Sequence, residues 1–300
     1  MSTITAEVVR QLREETGAGM MDCKAALVEA TGDMAKAREV LRKKGLAAAA
    51  KKASRSAQDG AIGSQIEADG RSGVVVEVNC ETDFVAKTPD FQALVRSVAE
   101  HVSKHRPADV AALLEQPFAG GPTVGQVVQE KIAVIKENIV IRRFARFELG
   151  AGEAGIVASY LHPPASVGPA KVGVLVELAA GSDAGALPAL AKDVAMHAAA
   201  ASPAAALYVS KDQVPADVIA KEKEIYREQA LASGKPASVV DKIAEGKLKE
   251  YYATFCLLEQ PYIREPKLSV GQHLAGKASV RRFVRLRLGE DAAQKPGSEE

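Results

Sequence analysis

The side chains able to do covalent or acid–base chemistry are few and scattered. Cys23, Cys80 and Cys256 lie far apart and form no C-x-x-C pair, so neither a disulfide framework nor a structural zinc site is expected. His101 and His197 stand outside any H-E-x-x-H spacing. Gly17-Ala18-Gly19 echoes a phosphate loop but lacks the G-x-x-x-x-G-K-S/T pattern and a preceding strand, which makes it a turn between helices. With no nucleophile–base pair, metal cluster or cofactor loop to assemble, the reading is of a protein that is not an enzyme and uses no cofactor. Thr82-Asp83-Phe84-Val85 opens the stretch TDFVAKTP and places an acidic residue next to an aromatic one. An Asp beside a rigid aromatic offers an acceptor for a partner's donors and much apolar area on only two torsions. By spacing alone, a turn Asp before a core Phe is the better reading of the pair.

The composition narrows the setting. The 300 residues are 47% hydrophobic, enough for a sizeable core, and much of that is Ala, which favours helices. Thirty-nine basic and 38 acidic side chains give a net charge of +1. That balance supplies no global pull towards nucleic acid or an anionic membrane. The opening MSTITAEVVRQLREETG is charged and has no apolar h-region, so a signal peptide is not expected. No apolar run reaches ~18 residues, the length a spanning helix needs. A soluble cytoplasmic protein is expected, with no membrane and no direct nucleic-acid contact.

The elements that must position the Asp-Phe pair come next. Residues 1–46 read as three short helices. Val8, Val9 and Leu12 mark the first, Cys23, Ala26 and Leu27 the second, and Ala37, Val40 and Leu41 the third, with Asp33 as an N-cap and an end near Gly45. A basic, Ala-rich run from Lys43 to Gln58 follows, and residues 47–59 are taken as a linker. Beyond Gly60 the period changes to that of strands, 61–68 and 73–79 about an Asp69-Gly70 turn, and then to a helix over 91–104.

That block recurs. Gly73–Val78 matches Gly173–Leu178, and Val98–His101 matches Val194–His197. Val124-Gly125-Gln126 matches Val270-Gly271-Gln272, and Arg142–Arg146 matches Arg281–Arg285. Ordered matches of this kind imply a duplication. The fold class is α+β: an N-terminal three-helix bundle, then two tandem pseudo-symmetric α+β subdomains with antiparallel sheets, 60–150 and 151–289. Each should hold about three strands with helices on one face. The copies differ at two points. TDFVAKTP stands in the first where the second has SDAGAL, and the second carries an insertion, 212–260. Helices over 216–233 and 238–255 there should pair as a hairpin, with Val218, Ile219, Ile225 and Tyr226 facing Val240, Ile243, Leu248, Tyr251 and Phe255. The polar tail, 290–300, reads as disordered.

Leu12–Gly45 and Glu77–Ala86 (EVNCETDFVA) resemble the elongation factor Ts family. So do Met196-His197 with Pro203, Ser233–Pro236, Gly246 and Val270–Gln272. The resemblance runs over about residues 2–289. It implies a guanine nucleotide exchange factor that binds elongation factor Tu, GDP-bound and nucleotide-free, and promotes GDP release. It implies that Thr82, Asp83, Phe84 and Val85 form the exchange loop, set between two helices of the partner near its magnesium. Met20, Met21, Asp22 and Lys24 of the N-terminal bundle, and His197, follow as secondary partner contacts. A homodimer or a 2:2 complex with the partner is a further expectation, with the hairpin serving self-association or partner contact.

Two other classes are weighed against this. A nucleic-acid module would rest on the basic run Arg42–Arg55 and on Arg281, Arg282, Arg285 and Arg287. No aromatics interleave in the basic run to stack bases, so a solvated linker is the better reading there. An enzyme has no constellation to rest on.

Overall fold

The computed structural model describes residues 4–164 and 166–290, so the expected tail beyond Glu290 lies outside the described residues. The fold is α+β. Contacts cluster into two compact units: the chain up to Ala61 with Val76–Phe144, and Ile62–Val75 with Ala145 onward.

In the first unit, helices α1 (Ala6–Thr16), α2 (Met20–Glu29) and α3 (Met34–Lys52) enclose Val9, Leu12, Cys23, Ala26, Leu27 and Ala37. Thr5 caps α1, accepting from the Val8 amide, and Asp33 caps α3, accepting from the Ala35 and Lys36 amides. Helix α3 runs well past Gly45, so the stretch without regular structure shrinks to residues 53–58. Two causes outweigh the ~1 kcal/mol that an interior Gly costs a helix. Ala47–Ala50 has the highest helix propensity available. Gly45 also lies against α7 (Val124–Ile135), where a Cβ would stand 2.9 Å from the Ala133 methyl.

The first sheet has the order β1 (Asp59–Ile66), β2 (Ser72–Cys80), β3 (Val140–Glu148). Between β2 and β3 lie α4 (Asp83–Ala86), α5 (Pro89–His105), α6 (Val110–Glu115) and α7. Helix α5 buries Phe91, Leu94, Val95, Val98, Ala99 and Val102 at helical spacing. Every residue of β2 is buried, as a central strand covered on both faces requires.

The second unit contains the antiparallel sheet β4 (Gly155–His162), β5 (Val172–Ala180), β8 (Ala278–Arg287), with β5 in the centre. Helix α8 (Leu187–Ala200) supplies Leu190, Ala191, Val194 and Ala195 to the core that β5 shares. Helices α9 (Ala216–Ala232) and α10 (Ala237–Phe255) form the expected hairpin. Its buried positions include Ala230 and Ala244, while Ile225 is exposed. Small residues let helices approach closely, and the stripe of large apolar residues missed them. Leu257 and Gln260, inside the expected insertion 212–260, are buried in the body. A short β6 (Pro261–Tyr262) and β7 (Glu265–Ser269) pair, and α11 (Val270–Leu274) leads to β8.

The duplication is legible in detail. Both Val-Gly-Gln motifs open a helix through a capping box, Thr123 with Gln126 and Ser269 with Gln272. On each central strand a buried carboxylate meets an arginine of the third strand: Glu77 with Arg143 at 2.7 Å, and Glu177 with Arg282 at 2.6 Å. In the second unit, Ile62, Val75 and Phe147 pack with Val157, Leu175 and Leu286. The repeated glycines permit this approach. A Cβ on Gly73 would run into Ile66 and stand 2.9 Å from Val157, and one on Gly173 would run into Ile62 and stand 2.9 Å from Val75.

The alternating arginines of β8 are directed at this chain's own carboxylates. Arg281 meets Glu153 and Glu177, and Arg285 and Arg287 meet Glu290. No helix among the described residues is long and apolar enough to cross a membrane.

Candidate functional site

Thr82-Asp83-Phe84-Val85 does not form an open loop. It makes a single helical turn, α4, wedged between β2 and α5. Thr82 is its N-cap, with its hydroxyl oxygen accepting from the Val85 amide at 3.3 Å. Downstream, the Thr88 hydroxyl donates to the Val85 carbonyl at 2.8 Å and caps α5, accepting from the Phe91 amide at 3.3 Å. Gln92 closes the turn, donating to the Ala86 carbonyl at 2.7 Å. The Cys80 thiol donates to the Thr82 carbonyl at 3.2 Å. Short polar side chains that satisfy backbone groups on either side stiffen a segment too short to be a stable helix alone.

On this stiff turn Phe84 is 78% exposed. The spacing-only alternative, a core Phe, does not hold: the inward position is taken by Ala86, which is buried. Asp83 forms an ion pair with Lys87 at 2.6 Å, one turn on, and the Lys87 ammonium lies 6.0 Å from the Phe84 ring centroid. A large exposed aromatic on a hydrogen-bonded scaffold is the arrangement of an interface anchor: much area to bury, little entropy to lose.

The turn is held from below by residues that the sequence did not single out. Glu137 Oε2 accepts from the Glu81 and Thr82 amides at 3.1 and 3.0 Å, and Glu137 Oε1 accepts from the Thr82 hydroxyl at 2.6 Å. The Asn138 amide donates to Glu81 Oε1 at 2.6 Å. The Asn138 side chain donates to the Arg55 carbonyl at 2.8 Å, and Arg55 lies 3.5 Å from Glu81 Oε2.

Of the secondary candidates, Met20 and Met21 are exposed, Met21 to 74%, on the same helix as exposed Asp22 and Lys24. Asp22 lies 3.6 Å from the ammonium of Lys136. His197 is elsewhere in character: it has no exposed surface at all. Its Nδ1 accepts from the Ile263 amide at 3.2 Å and its Nε2 faces Gln260 Oε1 at 3.0 Å. Gln260 in turn donates to the Ala204 and Thr254 carbonyls. The first copy repeats the pair, with His101 Nε2 3.0 Å from Gln116 Oε1. The recurring histidines fasten helix α5 or α8 to the segment that follows it.

Burial holds the His197 imidazolium below its ordinary range, only partly offset by Gln260, and desolvation does the same to His101. The consequence for stability has a definite sign. Above pH 6.5, the ordinary His value, both folded and unfolded chains are neutral at this site. Below it the unfolded chain takes up a proton that the folded one refuses, so stability is lost as pH falls towards the depressed folded value. Urea midpoints of the wild type and His197→Gln should therefore converge as pH goes from 7.5 to 5.5. A constant gap would show that His197 does not contribute this dependence.

Among the described residues no three His, Cys, Asp or Glu side chains gather to hold a metal. The family model described as Elongation factor TS matches residues 81–290, from the residue before the Thr82 turn to the last residue described. The chain is 44% identical to Elongation factor Ts of Trichlorobacter lovleyi, over 97% of this chain and 94% of that protein. It is 44% identical to that of Clostridium perfringens (97% and 95% covered) and 47% identical to that of Methylococcus capsulatus (96% and 93% covered). With a model matched over most of the chain and relatives alike from end to end, the chain belongs to the elongation factor Ts family, the nucleotide-exchange factors of translation elongation.

Proposed function

We propose that this protein binds elongation factor Tu, in its GDP-bound and nucleotide-free forms, and speeds GDP release by pressing the Asp83-Phe84 turn into the partner near its magnesium. The observation that carries the reading is Phe84: exposed, aromatic, and set on a turn held by hydrogen bonds from Thr82, Thr88 and Gln92. Magnesium bridges phosphate oxygens and protein ligands in near-ideal octahedral geometry, so a small displacement of its surroundings weakens nucleotide binding out of proportion. A wedge does this without any acid, base or metal of its own.

The exposed Met20-Met21-Asp22-Lys24 face of α2 serves as a second contact, and methionines suit a surface that must adapt to its partner. His197 acts on binding only through the packing of α8. The bundle 1–46 is then a binding element, 60–150 and 151–289 are the units of duplication, and the work is done in the cytoplasm. The hairpin is assigned to protein contact, self-association or a 2:2 complex included.

The test is label release. Elongation factor Tu carrying labelled GDP is mixed with excess unlabelled GDP, with and without this protein at catalytic concentration. A release rate that rises with added protein is expected. A rate independent of it, from a protein that is folded and monodisperse, overturns the reading.

A further inference from the structure

Residues 136–138 connect three parts of the first unit. Helix α7 ends at Lys136 in the left-handed conformation, φ 66°, which turns the chain sharply. Lys136 then points to Asp22 of α2, Glu137 holds the Glu81 and Thr82 amides and the Thr82 hydroxyl, and Asn138 ties Glu81 to the Arg55 carbonyl just past α3. The Asp22 pair is largely solvated and contributes little. The Glu137 carboxylate is different: one side chain accepts three bonds at the base of the turn that carries Phe84.

The second copy supplies the control. Counting back from the matched arginines, Gly276 stands where Glu137 does, and Lys277 stands at Asn138. There no carboxylate stands at that position, and the strand-to-helix junction is fastened to the Gly276 and Lys277 carbonyls instead. The Ser182 amide and hydroxyl donate to the Gly276 carbonyl at 2.9 and 2.7 Å, and the Gly181 amide donates to the Lys277 carbonyl at 2.9 Å. That junction continues as Ser182-Asp183-Ala184-Gly185, with no aromatic. The carboxylate clamp and the exposed Phe occur together in one copy and are missing together from the other. A junction that only had to fold would manage with the carbonyl form, without a carboxylate.

We propose that Glu137 is a positioning residue for exchange: its carboxylate fixes the Thr82 N-cap and so the direction in which Phe84 projects. A charge-assisted acceptor shared by two successive amides holds a short turn more rigidly than a neutral one. A wedge that must displace a partner's groups works only if its own base does not yield. This rests on the exchange reading above, and the experiment separates the two.

Saturation kinetics of labelled GDP release from elongation factor Tu are measured for wild type, Phe84→Ala, Glu137→Ala and Glu137→Gln. Amide hydrogen exchange and thermal melts of each free protein are recorded beside them. In Glu137→Ala the maximal rate should fall roughly tenfold, with the half-saturating concentration changed less than about twofold, and the amides of residues 81 and 82 should exchange faster. Glu137→Gln should lie between, because its amide oxygen still accepts from the Glu81 and Thr82 amides but without charge, and its NH2 must donate to the Thr82 hydroxyl oxygen, reversing that bond. A merely structural role would remove folded molecules, which raises the half-saturating concentration and leaves the maximal rate alone; that result overturns the proposal. So does a normal maximal rate in Glu137→Ala when Phe84→Ala is slow, or unchanged amide exchange at residues 81 and 82. A normal rate in Phe84→Ala overturns the exchange reading itself.

Discussion

Phe84→Ala is expected to slow stimulated GDP release roughly tenfold or more, which corresponds to ~1.4 kcal/mol of transition-state stabilisation. The free protein should barely notice the change. Phe84 has most of its surface in water, and the turn beneath it is held by Thr82, Thr88, Gln92 and Glu137 rather than by the ring. A melting temperature within a degree or two of wild type is the expected control.

Asp83→Ala should slow release comparably by a different route. It removes the carboxylate acceptor of the proposed contact and also breaks the 2.6 Å ion pair with Lys87. The exposed pair itself contributes only tenths of a kcal/mol to stability. The two substitutions act on one site, so the double variant should lose less than the sum of the singles. Exchange and binding are linked: the factor weakens GDP as much as GDP weakens the factor. A defect confined to the wedge should therefore reduce that antagonism while binding to nucleotide-free partner falls less. Stopped-flow release with the wild type, both singles and the double decides it. Wild-type exchange by a folded double variant would sink the mechanism.

The largest loss of stability is expected from Arg143→Ala. Glu77 has no exposed side-chain surface, and its partner Arg143, 19% exposed, bonds it at 2.7 Å. Removing the arginine leaves a buried carboxylate with Asn79 at 3.4 Å among its remaining neighbours. Removing one member of a buried ion pair typically costs about 3–5 kcal/mol. The duplicate provides the comparison. Glu177 also has Arg281 at 3.5 Å, so Arg282→Ala leaves the carboxylate a cation. That variant loses the bonds to Glu177 and to the Glu148 carbonyl and a stacking contact with Phe147, at 4.4 Å, for about 2 kcal/mol. Urea midpoints with unchanged slopes should rank wild type above Arg282→Ala above Arg143→Ala, because Arg282 is 48% exposed and its pair is more screened than that of the more buried Arg143. The reverse order would mean that burial does not set the strength of these two pairs.

Much of the architecture is written locally. The three N-terminal helices, their Asp33 cap and their Gly17 break follow from spacing and cap chemistry, which act over a few residues. The duplication is a property of sequence order, so it could be read without a structure. The hairpin helices were placed to within a residue because Pro236 and Gly234 punctuate two strongly periodic stretches. Residues with no local signature were not legible. Helix α7 was passed over although Val124, Val128 and Ile132 recur at helical spacing, and the six-residue α6 is too short for its apolar run to separate helix from strand. The end of α3 was placed too early because only tertiary packing on Ala133 makes Gly45 acceptable within a helix.

The candidate site divides in the same way. The sequence by itself determined the residue types of the wedge, Asp83 and Phe84, and their absence from the second copy. Whether Phe84 faced the core or the solvent could not be read from it, because a four-residue turn has no periodicity to assign a face. Tertiary structure turned Ala86 inward and Phe84 outward, and buried His197, a partner candidate by resemblance, behind Gln260 and Ile263. It also brought Glu137 to Thr82 across 55 residues of chain. Hydrogen bonds of that separation leave no trace in local spacing, since their geometry is set by strand register and helix packing rather than by neighbours along the chain.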